Sequence, residues 1–181
     1  MPKISWGQYE ATTDNGGFEK LPAGAYVARI TSATYKPEKN YTEVVFDIAE
    51  GEHAGFYDDE WGKFHPYAHH FFMSYKDSAL RMTKGRLLAI SESNPGFDAL
   101  AASDADRFDL FTGRLVGLNL QEEEYEGNDG DVKTRLNVCQ VIPAQDVRDG
   151  KVQPRAIKKL AAKASVSGAP AATVSYEDVP F

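Results

Sequence analysis

Three groups of residues have the types and spacing that chemistry requires. The acids Asp58, Asp59 and Glu60 with His65, His69 and His70 offer the oxygen and nitrogen ligands that hold zinc and similar ions. Their placement argues against that use. If residues 67–75 form a strand, His69 and His70 point to opposite faces, and no second Cys or His cluster completes a tetrahedral set. Neither a metal nor a cofactor is expected. Asp131-Val132-Lys133 fits the Asp-x-Lys half of a metal-dependent nuclease motif, in which Mg²⁺ and upstream acids activate water at a phosphodiester. A three-residue match beside an Asn-Asp-Gly turn specifies little, so a metal-dependent nuclease stands as an alternative and no catalytic residue is assigned. The lone Cys139 falls within an alternating apolar run and reads as a buried, inert thiol.

Recognition chemistry is better represented. Single strands of nucleic acid are held by aromatic rings that stack on bases and by Lys or Arg that meet phosphates. Trp61, Phe64 and Tyr67 sit in or beside a Gly-rich connection, where an aromatic has less reason to be core. Tyr35, Lys36, Lys39 and Tyr41 flank a turn at Pro37-Glu38-Lys39-Asn40. Lys133 and Arg135, two apart, project from one face of a strand, and Arg29 could join them from another. Phe46, Phe71 and Phe72 lie in alternating apolar runs and are assigned to core or sheet packing.

The elements that must position these residues follow from periodicity. From Gly24, Tyr26, Ala28 and Ile30 alternate with Val27, Arg29 and Thr31, and after the turn Val44, Phe46 and Ile48 alternate with more polar neighbours. Residues 67–75 form a third, aromatic-rich strand after a long connection. Between Asp77 and Asn94 the spacing changes to three and four, with Leu80, Thr83, Leu87 and Ile90 on one stripe, which makes a helix. Asp77 serves as its expected N-cap and Asn94-Pro95-Gly96 as its stop. Two more strands, 114–124 and 132–142, are joined by Glu126-Gly127-Asn128-Asp129-Gly130. The expected architecture is mainly β: an OB-fold-like five-stranded barrel with one helix after strand three, plus a flexible C-terminal tail. Residues 1–22 form an N-terminal arm, 23–148 the OB-like domain and 149–181 the tail, in which Lys158 to Lys163 has the composition of one short helical stretch.

Charge weighs against a nucleic-acid partner and restricts how one could bind. The net charge is −7. Lys and Arg number 15 against 25 acids in residues 1–150, and 5 against 2 beyond, so the tail is basic on an acidic body. Any phosphate site on the body must be a local basic stripe, or stacking must dominate. The acidity also supports a β-rich assembly or adaptor protein that touches no DNA. No run approaches the ~20 apolar residues that span a bilayer, and Met1 to Gly7 lacks a signal-peptide pattern, so no membrane partner and a cytoplasmic location are expected.

The last five residues, Glu177-Asp178-Val179-Pro180-Phe181, resemble the acidic Asp-Asp-Ile-Pro-Phe tip of bacterial single-stranded-DNA-binding proteins, which docks onto other replication and repair proteins. A terminal Phe ring can fill an apolar pocket while the carboxylates meet Lys or Arg, and a flexible tether lets it search. This tip has only two acids and a basic stretch upstream. The chain as a whole is similar to phage-encoded single-stranded-DNA-binding proteins associated with recombination and replication. That resemblance rests on Gly16-Gly17-Phe18-Glu19-Lys20-Leu21-Pro22-Ala23-Gly24-Ala25-Tyr26, on Ser93-Asn94-Pro95-Gly96-Phe97, and on Leu120-Gln121-Glu122-Glu123-Glu124-Tyr125 leading to Lys133-Thr134-Arg135-Leu136. It implies an OB-type domain that binds and protects single-stranded DNA without sequence preference, while the tip recruits replication or recombination proteins. Open strand edges could also pair two copies into a homodimer.

Overall fold

Residues 20–57 and 68–160 are described by a computed structural model. Five strands, β1 (Gly24–Lys36), β2 (Tyr41–Ile48), β3 (His70–Ser74), β4 (Leu115–Glu126) and β5 (Val132–Ile142), make one antiparallel sheet in the order β3-β2-β1-β4-β5. No ladder among the described residues joins β3 to β5, so the sheet is open. Between β3 and β4 lie helix α1 (Leu80–Ser93) and the shorter α2 (Ala99–Asp104); α3 (Ala144–Arg148) follows β5.

Alternation decides which face of each strand is buried. In β2, Thr42, Val44, Phe46 and Ile48 are buried and the residues between them are partly exposed. Val44, Phe46, Met73, Val116 and Leu118 are fully buried, together with Ile90 of α1 and Phe111 from the 3-10 turn Phe108–Phe111. Helix α1 covers this inner face of the sheet with Thr83, Leu87, Ala89 and Ile90. Truncating a ring such as Phe46 to Ala would cost about 3–5 kcal/mol, because surrounding rings and strands leave little room to collapse.

β1 is the strand on which the sheet turns. Its first half pairs with β4, from Gly24↔Leu120 to Arg29↔Leu115, and its second half with β2, from Ala28↔Ile48 to Lys36↔Tyr41. Thr31 is an extra residue between Ile30↔Phe46 and Ser32↔Val45. Such a bulge bends the strand and resets its parity. Tyr26, Ala28 and Ile30 face inward before it, Ala33 and Tyr35 after it; Arg29, Ser32, Thr34 and Lys36 lie on the outer face.

Two details of the helix differ from expectation or extend it. Asp77 begins a separate 3-10 turn, Asp77–Ala79, and α1 starts three residues later without any side-chain cap. Thr83 holds that end instead, donating from its hydroxyl to the Ser74 carbonyl at 2.7 Å. At the other end Asn94 does more than stop the helix. Its amide nitrogen donates to the carbonyls of Ile90 (2.7 Å) and Leu115 (2.8 Å), and its oxygen accepts from the Leu115 amide (2.9 Å), tying α1 to the start of β4.

Beyond β5 the chain keeps structure further than its composition suggests. α3 lies against the outer side of β4 at Gly117, where a Cβ would meet the Pro143 carbonyl oxygen at 2.7 Å and Val147 Cγ2 at 2.8 Å. A glycine in a strand here permits close approach. Residues 151–160 form no helix, and 161–163 of the expected helical stretch lie outside the described residues. The amide nitrogens of Asn119 and Gln121 donate to the carbonyls of Gln153 (3.1 Å) and Ala156 (2.6 Å), and Lys158 makes a parallel bridge to Glu123. No helix among the described residues is long and apolar enough to cross a membrane.

Candidate nucleic-acid interface

The outer face of the sheet divides into a covered part and an open part. Where β1 pairs with β4, α3 and the segment 151–160 lie over it, and Val27 and Asn119 are buried there although they point outward. Where β1 pairs with β2 and β2 with β3, the outer residues are Arg29, Ser32, Thr34 and Lys36, then Tyr41, Glu43, Val45 and Asp47, then His70, Phe72 and Ser74. No described helix crosses that part; Phe72 is its half-exposed ring, while the His70 side chain keeps only 11% exposure.

Its chemistry is aromatic at one end and basic at the margins. Tyr41 and Phe72 meet edge to face, ring centroids 5.1 Å apart. Phe72 is 44% exposed, on a strand whose neighbours Phe71 and Met73 are buried. The Lys39 ammonium lies 5.9 Å from the Tyr41 ring centroid, and Lys36 stands opposite Tyr41 across the turn. The β3 edge is secured from within: Arg86 of α1 donates to the Phe72 carbonyl and lies over the Phe71 ring.

The two acids on this face are already engaged. Glu43 holds His70 Nδ1 at 2.8 Å and Lys36 Nζ at 3.8 Å. Asp47 Oδ1 accepts from the backbone amides of Ile48 (2.7 Å) and Tyr57 (2.8 Å). Arg29 and Lys39 have no carboxylate partner among the described residues. Glu43 is thus offset by Lys36, while Asp47 keeps its charge opposite Arg29, so Lys39 is the cation on this side that no carboxylate faces among the described residues.

The sequence candidates fall into four places. Arg29, Lys36, Lys39 and Tyr41 share the open outer face. Tyr35 lies on the opposite side of β1, stacked on Phe108 at 5.7 Å and edge-on to Tyr75, with its hydroxyl donating to Asn40 Oδ1 at 3.0 Å. Lys133 and Arg135 are also on the outer face, but toward the β4–β5 turn. Gly24 lies about 40 Å of extended strand from Lys36, and Tyr125 continues past Gly24 along β4. There Lys133 pairs with Asp129, while Arg135 sits 3.3 Å from Glu123 and over the Tyr125 ring. Trp61, Phe64 and Tyr67, and the tip Glu177, Asp178, Val179, Pro180 and Phe181, lie outside the described residues.

Phe72, expected in core or sheet packing, packs on the sheet against Tyr41 and outside the core. Consecutive Phe71 and Phe72 on one strand must face opposite ways, so one had to leave the core. Of the candidate metal ligands, Asp58, Asp59, Glu60 and His65 lie outside the described residues. His69 stacks on Tyr57 at 5.0 Å with no hydrogen-bond partner for its Nδ1, while His70 points to the outer face. Burial, and next the neighbouring His70, push the His69 pKa down to about 4. The Lys133 ammonium of the Asp-x-Lys match is held by Asp129. Among the described residues no three His, Cys, Asp or Glu side chains are grouped to hold a metal. In comparison with known proteins, no family model and no curated sequence matches the chain.

Proposed function

We propose that the chain binds single-stranded DNA without strong sequence preference, using the open outer face of β1, β2 and β3, and acts as a protecting and recruiting factor rather than as an enzyme. The observation that carries this reading is the pair of the half-exposed Phe72 and the partly exposed Tyr41, flanked by Lys36 and Lys39, with Arg29 further along the same face, whose two acids are engaged internally. Rings on the outer face of a sheet offer stacking that every base can use, and Arg29 and Lys39, without carboxylate partners among the described residues, offer contacts to phosphate.

The strand order and the helix after strand three support an OB-type barrel. In that fold the surface of strands two and three, with the loops joining strands one to two and four to five, binds oligonucleotides. Those loops here are Pro37–Asn40 and Gly127–Asp131. The distant Lys133 and Arg135 thereby become the far end of one path that begins at Lys36 and Tyr41. The C-terminal Glu-Asp-Val-Pro-Phe tip would recruit a replication or recombination protein, its Phe in an apolar pocket and its carboxylates on basic residues.

The test is fluorescence anisotropy of labelled oligo(dT) with the wild-type chain and with the double variant Tyr41→Ala, Phe72→Ala. The reading expects binding by the wild type and weakening by about 1–3 kcal/mol for each base that loses its ring. Wild-type and variant chains of equal affinity would remove this face from the interface.

A further inference from the structure

Residues 151–160 are built onto β4 as a strap, and the way they are held puts their cations on the same side of the sheet as Arg135. β1 pairs with β4 only as far as Leu120, which leaves the β4 edge from Gln121 onward without a β1 partner. The strap takes that place. Its Lys158 amide donates to the Glu122 carbonyl at 2.8 Å, and the Glu124 amide donates to the Lys158 carbonyl at 2.9 Å.

Upstream of that bridge the strap crosses the outer surface, because the two side chains that hold it, Asn119 and Gln121, alternate with the inward-facing Leu118 and Leu120. Arg155 lies between the two carbonyls they bind, those of Gln153 and Ala156. It is exposed and makes no ion pair among the described residues. Its charge reaches the Cys139 thiol on β5, tending to lower a pKa that burial raises. Lys158, the bridge partner of Glu123, projects to the same outer side, where its ammonium lies 2.6 Å from Glu123 Oε1. Glu123 also holds Arg135 at 3.3 Å. One carboxylate thus gathers two cations, Arg155 adds a third, and Tyr125 supplies a ring beneath Arg135. Glu122 and Glu124 alternate to the other face.

We infer that the strap is a second phosphate-binding element, in which Arg155 and Lys158, with Arg135 and Tyr125, hold the backbone of a single-stranded nucleic acid leaving the β1–β2–β3 face. The inference rests on the single-strand-binding reading above. The first ten residues of the basic tail are then part of the interface, and the tether proper begins after them. The fixed backbone presents these cations already placed, so little ordering is lost when phosphate arrives.

The experiment measures oligo(dT) affinity against salt concentration for the full-length wild type, R155Q, the double variant R155Q/K158Q, and K159Q as a charge-matched control. Alternation along the extended strap sets Lys159 to the side opposite Lys158. Each lost phosphate contact lowers the magnitude of the log K against log salt slope by about 0.7. The expected result is a loss of ~0.7 for R155Q, ~1.4 for the double variant and little for K159Q. A wild type that binds, with R155Q and the double variant unchanged in slope, overturns the strap's role and leaves the binding face standing. Equal losses for R155Q and K159Q overturn it too, since general tail charge would then be the cause. A wild type that does not bind at all sinks the function itself.

Discussion

Tyr41 and Phe72 stand edge to face across β2 and β3 on the solvent side of the sheet, 5.1 Å between ring centroids, directly outside the buried Thr42 and Phe71. Because Phe72 is 44% exposed, its ring contributes little to the core. Phe72→Ala should therefore weaken oligo(dT) binding by roughly 5- to 100-fold while lowering stability by no more than about 1 kcal/mol. Anisotropy and urea denaturation measure the two separately. A large loss of stability with unchanged affinity would return Phe72 to a packing role.

Asn94 binds both the end of α1 and the start of β4. Asn94→Ala removes three hydrogen bonds and strands the Leu115 amide and carbonyl, groups that lie 21 residues away in sequence. The expected cost is about 2–3 kcal/mol, read as a lower urea midpoint with unchanged slope. A cost below ~0.5 kcal/mol would mean that water replaces the side chain freely.

Two glycines should respond in opposite directions to the same change. At Gly117 an added Cβ would collide with Pro143 and Val147, so Gly117→Ala should destabilise by about 1–3 kcal/mol and displace α3. At Gly85, exposed on α1 with nothing within 4 Å of the added atom, Gly85→Ala should stabilise by about 0.5–1 kcal/mol. Thermal or urea denaturation of the two variants decides, and equal signs would contradict the packing described at Gly117.

Stability should depend on pH through His69. Burial and His70 depress its pKa to about 4 in the folded chain, against an unfolded value near 6.5. Between those values the unfolded chain binds more protons, so stability is complete above pH ~6.5 and falls as pH drops toward 4. His69→Phe, which keeps a ring against Tyr57 and removes the orphaned Nδ1, should flatten the dependence between pH 6.5 and 5 relative to wild type. Titrating carboxylates such as Glu50, held low first by Arg148, act in the same direction at lower pH. Parallel curves for wild type and variant would exclude His69 as the source.

Much of the fold was legible because burial follows local period. Val44, Phe46 and Ile48 announce β2, and Leu80, Thr83, Leu87 and Ile90 announce α1, since each set shares one face. What stayed hidden depends on distant pairing. The bulge at Thr31 exists only through the register of β1 against β2, and it alone sets Tyr35 inward and Lys36 outward. The strap has no period of its own; its structure is borrowed from Asn119, Gln121 and Glu123 of β4. The open face was half visible, as Lys36, Lys39 and Tyr41 beside a turn, but Phe72 was masked by its apolar neighbours.

The central claim meets its most direct test in a titration of labelled oligo(dT) with the wild-type chain at two salt concentrations, with duplex DNA of equal length as competitor. The account predicts binding that weakens with salt by about 0.7 log units per contacted phosphate for each tenfold change, and that duplex fails to compete away. No binding at low salt, or binding that duplex displaces equally well, would contradict it.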